Sequence, residues 1–177
     1  MEEKSWKKWE LAGLFFTIGC GNALHFLYEW TGKSAVAAVF SCVNESTWEH
    51  MKLLAVPWTV WTLLEAVFHH RGPRDAPARF GGLLAGLAVI PVLYYTYRGI
   101  TGENVDLVNI LIFQLSVLSA WGVTRLLRRR QRASGRAWQA VGLLLHLALW
   151  GLFVWWTWAP PRLPLFCDPL RGTFGRG

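Results

Sequence analysis

Uncharged runs long enough to cross a lipid bilayer constrain this chain more than any other feature. A hydrocarbon core about 30 Å thick needs about 20 helical residues at 1.5 Å each. Residues 11–28, 80–97 and 107–124 are each 18 long without a formal charge, counting histidine as neutral, and residues 137–161 give 25 more. Residues 46–68 hold Glu49, Lys52 and Glu65 near their ends, but the 12-residue centre, 53–64, is uncharged. These runs predict an all-α, polytopic transmembrane helix bundle with about five spans, at about 9–30, 46–68, 79–98, 105–126 and 137–159. Residues 1–177 then form a single membrane domain, with 162–177 as an outer tail. Residues 34–43 are apolar but too short to cross, and read as a re-entrant or interfacial segment. A cleaved signal peptide is the competing reading of the N-terminus, because Lys7 and Lys8 precede an apolar run. That run continues past any small-residue cleavage site, and Thr17-Ile18-Gly19-Cys20 is a poor lipoprotein-type box.

Composition agrees, and charge sets the orientation. The chain has 53% apolar and 16% charged residues, which excludes a disordered chain, yet its net charge is +7. A basic surplus has two readings, a nucleic-acid-binding face or a membrane protein with lysine and arginine sorted to one side. In a five-span order the N-terminus, the loop around 71–79 and the loop 125–136 fall on one side with 12 of the 18 basic residues. That side carries five of the 11 acids, so the whole surplus lies there and the other side is neutral. Positive-inside sorting therefore puts the N-terminus in and the C-terminus out, in the cytoplasmic membrane. The run of arginines over 125–136 becomes a topology determinant that touches anionic lipid, with no nucleic acid as partner. Trp6, Trp9, Trp121 and Trp138 at inner ends, and Trp30, Trp48, Trp155, Trp156 and Trp158 at outer ends, match the aromatic belts of a bilayer. Trp58, Trp61 and Trp150 lie deeper and read as packing residues, and Pro57 and Pro91 read as kinks.

Polar residues inside spans are expensive in hydrocarbon and need partners or a role. Asn22, His25 and Glu29 are spaced i, i+3, i+7, within a stripe about 60° wide on the first helix. At the start of the second span Glu45, Glu49 and Lys52 share a narrow face, with His50 turned about 100° away. Glu103, Asp106 and Gln114 lie within about 80° on the fourth if that helix begins early. Asp168 comes from the tail. All but Gln114 converge on the outer side, and with Asn44 they form the candidate ligand site: Asn22, His25, Glu29, Asn44, Glu45, Glu49, His50, Asp106 and Asp168. His25, Glu29, Glu45, Glu49 and His50 are the candidate metal ligands, because imidazole and carboxylate together suit a divalent metal such as Zn or Mn.

Three classes of function follow. A binding, transport or accessory membrane protein uses such groups for a pathway or for helix contacts. A membrane-embedded metal-dependent hydrolase of a lipid or other amphiphile uses them around a nucleophilic water. A nucleic-acid-associated protein has little left to rest on. Plainer readings compete at each residue. Ser46-Thr47-Trp48-Glu49 fits a capping box in which Glu49 returns to the Ser46 backbone. His25 and Glu29 can hydrogen-bond across one helical turn. His146 reads as a packed neutral histidine bonded to a neighbouring helix, and Glu65 as a carboxylate snorkelling to the inner interface. Cys42 and Cys167 both fall outside and are a possible disulfide.

Three strings carry a family resemblance: Asn22-Ala-Leu-His25-Phe-Leu-Tyr-Glu29-Trp30, Val43-Asn44-Glu45-Ser46-Thr-Trp48-Glu49-His50-Met-Lys52, and the tail from Pro164 to Gly175. They resemble a family of small bacterial multi-pass membrane proteins known only as a domain of unknown function. The resemblance covers nearly the whole chain. It implies a membrane protein, singles out the same outer-side regions, and supplies no reaction.

Overall fold

The computed structural model describes residues 2–68, 72–130 and 135–176, with 2–7 and 72–74 as backbone alone. Six helices follow in order: α1 (Glu2–Trp30), α2 (Ala35–Phe40), α3 (Thr47–Phe68), α4 (Gly72–Thr101), α5 (Asp106–Arg130) and α6 (Arg136–Trp158). A 3-10 turn, Pro164–Phe166, and a single antiparallel bridge between Cys167 and Phe174 shape the tail. Five helices, all but α2, are long and apolar enough to cross a membrane, as the uncharged runs predict. At about 9 Å, α2 is too short to do so. The basic residues Lys4, Lys7, Arg71, Arg74 and Arg132 lie outside the described side chains.

Helix α3 is the centre of the bundle. In its most apolar stretch 67% of residues are buried, against 22–44% for the other four long helices. Leu53, Leu54 and Trp58 of α3 meet Leu83 and Leu87 of α4, Val117 of α5 and Phe153 of α6 in one core. Small residues set how closely the helices approach, as is usual where van der Waals contact drives association. A Cβ on Gly86 of α4 would lie 2.7 Å from the Ser116 carbonyl of α5, so only glycine lets those backbones meet. Pro57 lacks an N–H and so frees the Leu53 carbonyl, four residues back. Gly21 of α1 packs against that oxygen, 2.6 Å from where a Cβ would stand.

The deep tryptophans pack as the sequence suggests. Trp58 Nε1 donates to the Arg79 carbonyl at 3.1 Å, Trp150 Nε1 to the Val39 carbonyl at 3.3 Å, and Trp61 lies against Trp9 and Phe16. His146 is packed and buried, but its Nδ1 bonds the Gly142 carbonyl of its own helix at 2.8 Å, not a neighbouring helix.

Glu65 corrects the snorkelling reading. It is fully buried, with Arg79 at 3.0 Å and Arg128 at 3.5 Å from Oε2. Arg128 also pairs with Glu10 and, at 3.3 Å, with Asp75. Carboxylates from α1, α3 and α4 thus surround two arginines from α4 and α5. One arginine of the basic run ties the bundle together from within, because a buried carboxylate needs a cation more than it needs water.

Candidate functional site

Opposite the arginine-rich end, the ends of α1, α3, α4, α5 and α6 meet the tail. Helix α1 stops where Gly32 and Lys33 adopt positive φ, of 64° and 62°, and Lys33 N closes onto the Tyr28 carbonyl at 2.8 Å. The chain then runs through α2 to the segment 41–46, which enters α3.

That entry divides the candidate residues into two clusters. Ser46 caps α3 by accepting from Glu49 N at 3.3 Å, which is half of the expected capping box. The other half is replaced, since Ser46 N donates to Asn44 Oδ1 at 2.9 Å and the Glu49 carboxylate turns inward. Glu49 Oε2 meets Lys52 Nζ at 2.5 Å and accepts from Val43 N at 3.0 Å, and Oε1 accepts from Thr157 Oγ1 at 3.0 Å. Lys52 Nζ spends its remaining donors on the Ala38 carbonyl, at 3.1 Å, and on Thr157 Oγ1, at 2.9 Å. Both charged side chains are buried to within 1%. Asn44 Nδ2 and Asp168 extend this closed cluster into the tail: Asn44 donates to the Gly175 carbonyl at 2.8 Å. Asp168 accepts from Leu170 N, Arg171 N and, at 3.4 Å, Glu45 N. These residues hold α2, α3, α6 and the tail together.

Glu45 and His50 point the other way. Glu45 precedes the first turn of α3, so the helical-wheel placement beside Glu49 and Lys52 does not apply to it. It reaches His50, with Oε2 3.4 Å from Nε2, and His25 of α1, 3.8 Å from Nε2. The two imidazole Nε2 atoms are 3.2 Å apart. The three ligand atoms lie within 4.8 Å of one another, and all three residues are part-buried. His50 Nδ1 lies 3.0 Å from the Ser46 carbonyl, which only accepts, so Nδ1 carries the proton and Nε2 presents its lone pair in the neutral ring. A backbone carbonyl that fixes the tautomer in this way is the usual outer partner of a metal-ligating histidine.

A cleft of about 70 Å³ opens beside this cluster, walled by Glu45, His50, Tyr94, Asp106, Asn109 and apolar side chains such as Phe113. Asp106 is the first residue of α5, which leaves Glu103 in the connection before it, outside the helix. Asn109 and Asn104, which the sequence does not single out, are held by Tyr97 Oη at 2.6 and 3.1 Å. Two candidates stand apart. Asn22 bonds the Ile18 carbonyl of its own helix and is exposed, and Glu29 is exposed and 3.7 Å from Lys33 instead of bonding His25. Cys42 and Cys167 are unpaired; Cys42 donates to the Glu49 carbonyl. Burial pushes the Cys42 thiol well above its ordinary range.

The family model described as "Family of unknown function (DUF6512)" matches residues 1–176. No curated protein and no solved structure matches the chain.

Proposed function

The chain belongs to this family of unknown function, and we propose that it is a binding, transport or accessory protein of the membrane whose polar site takes a divalent transition metal. His25, Glu45 and His50 are the ligands. One observation carries the reading. Tetrahedral coordination at 2.0–2.1 Å places ligand atoms about 3.3–3.4 Å apart. The cluster offers separations of 3.2, 3.4 and 3.8 Å from three side chains. Two imidazoles with one carboxylate favour Zn over Mn, which prefers oxygen-rich sites. Glu49 is spent on Lys52 and Glu29 on solvent and Lys33, so neither belongs to the ligand set. Charge sorting supports an orientation with the metal site outside the cytoplasmic membrane, and with 125–136 against anionic lipid within.

A second reading, a metal-dependent hydrolase of an amphiphile, is favoured by the cleft. Three protein ligands leave a fourth position open, as catalytic zinc sites do. Here Asp106 and Asn109 line the cleft together with apolar Leu53 and Phe113. A metal would supply Lewis acidity, and Asp106 is the carboxylate placed to accept a proton.

Elemental analysis of the detergent-purified chain after zinc loading and desalting tests the metal. One equivalent of zinc is expected for the native chain and for Glu29→Ala, with loss in His50→Ala. Zinc retained by His50→Ala, or absent from the native chain, would refute the site.

A further inference from the structure

A second cleft lies on the far side of Tyr94 and Thr47, and its chemistry is the reverse of the first. Tyr94 and Thr47 wall both, and Thr47 Oγ1 reaches the Tyr95 hydroxyl at 3.4 Å. The second cleft, of about 450 Å³, runs between the end of α4 and the tail and is lined by Tyr95, Arg98, Arg162 and Pro164 among others. Among the described residues no aspartate or glutamate lines it, whereas the first cleft holds Glu45 and Asp106 and no lysine or arginine. Two arginines therefore line one cavity whose walls hold no carboxylate among the described residues. Arg98 spends one donor on Tyr94 Oη, at 2.9 Å, and lies over the Tyr94 ring, 5.5 Å from its centre. That contact orients the fork and leaves its other donors for a ligand. Arg162 is exposed.

The approach to this cleft is apolar. Leu84, Ala88, Val92 and Tyr95 follow at i, i+4, i+8 and i+11, and all four are exposed. They form one continuous stripe down the lipid-facing side of α4 that ends on the cleft wall. A hydrocarbon chain along the stripe would bring its head to the two arginines.

We infer that the Arg98–Arg162 cleft is a binding site for an anionic phospholipid, holding the phosphate between the two guanidinium groups with an acyl chain along the α4 stripe. Charge complementarity carries this assignment. Two unopposed guanidiniums match a phosphate, which each binds through paired, charge-assisted hydrogen bonds. The stripe favours a lipid-borne phosphate over a free one. The assignment rests on residues outside the metal cluster and stands or falls apart from it.

Native mass spectrometry of the full chain in neutral detergent, titrated with dioleoyl phosphatidic acid, tests it. R98A/R162A should bind the first lipid at least about tenfold more weakly, the loss expected when a few charge-assisted hydrogen bonds go. K8A/K33A, which removes two exposed cations outside the cleft, should bind that first lipid as the native chain does. R98K/R162K should lose less than the alanine pair, and R98A/R162A should keep the native melting temperature in detergent, which shows that it is folded. Phosphatidylcholine and inorganic phosphate should neither bind comparably nor displace the lipid. Unchanged affinity in folded R98A/R162A, equal binding of phosphatidylcholine, or displacement by equimolar inorganic phosphate would each overturn the proposal.

Discussion

Glu49 and His50 are consecutive, yet they belong to polar clusters of opposite kinds. Around Glu49 every group is used. The ammonium of Lys52 has three donors and three acceptors, and both carboxylate oxygens accept. Around His50 the arrangement is open, since two Nε2 atoms and a carboxylate oxygen face one another beside a cleft. A cluster that satisfies itself can hold helices together but has nothing left for a ligand. One in which two imidazoles share a single hydrogen bond beside a cleft keeps acceptor capacity for the cation proposed above. The Glu10, Glu65, Asp75, Arg79 and Arg128 group at the opposite end is of the closed kind, with opposite charges interleaved.

Breaking the closed cluster should give the largest effect. Lys52→Met strands a buried carboxylate, and stability should fall by about 3–5 kcal/mol. The melting temperature in detergent checks this, and a native-like melt would show that Glu49 is not held as described. Asp168→Asn comes next, at about 1–3 kcal/mol, because one acceptor of the tail is replaced by a donor facing backbone N–H groups. Proteolysis of the tail reads it out. His25→Ala in the open cluster should change metal-free stability by only about 0.5 kcal/mol, as a part-buried side chain outside the core does. A loss as large as that of Lys52→Met would erase the contrast between the clusters.

The smallest effect concerns Cys42, whose thiol burial holds well above the ordinary range of about 8.5. Below that range folded and unfolded chains both keep the proton, so the thiol adds no pH dependence. Above it only the unfolded chain ionises, so stability should fall as pH rises. Cys42→Ser should flatten that alkaline slope.

Run length made the bundle legible, because hydrocarbon thickness is a one-dimensional constraint and uncharged length is a one-dimensional signal. The site was legible only as a neighbourhood. His25 and His50 stand 25 positions apart, and helical spacing gives a face without saying which helix that face meets. Spacing placed Glu45 with Glu49, because it assumed that the helix had already begun; α3 starts at Thr47, and Glu45 swings to the histidines. Glu65 was misread for the same reason, since its partners Arg79 and Arg128 come from other helices. Arg98 and Arg162 gave no local signal at all. Single arginines near span ends are ordinary, and only the tail's return places both on one cleft.

Titration of the metal-free chain with Co²⁺, followed by visible absorption, tests the central claim most directly, because the intensity of the bands reports coordination geometry as well as binding. Intense tetrahedral bands saturating at one equivalent, lost in His25→Ala and His50→Ala and kept in Glu29→Ala, are the predicted result. Weak octahedral bands, or a spectrum indifferent to both histidines, would contradict it.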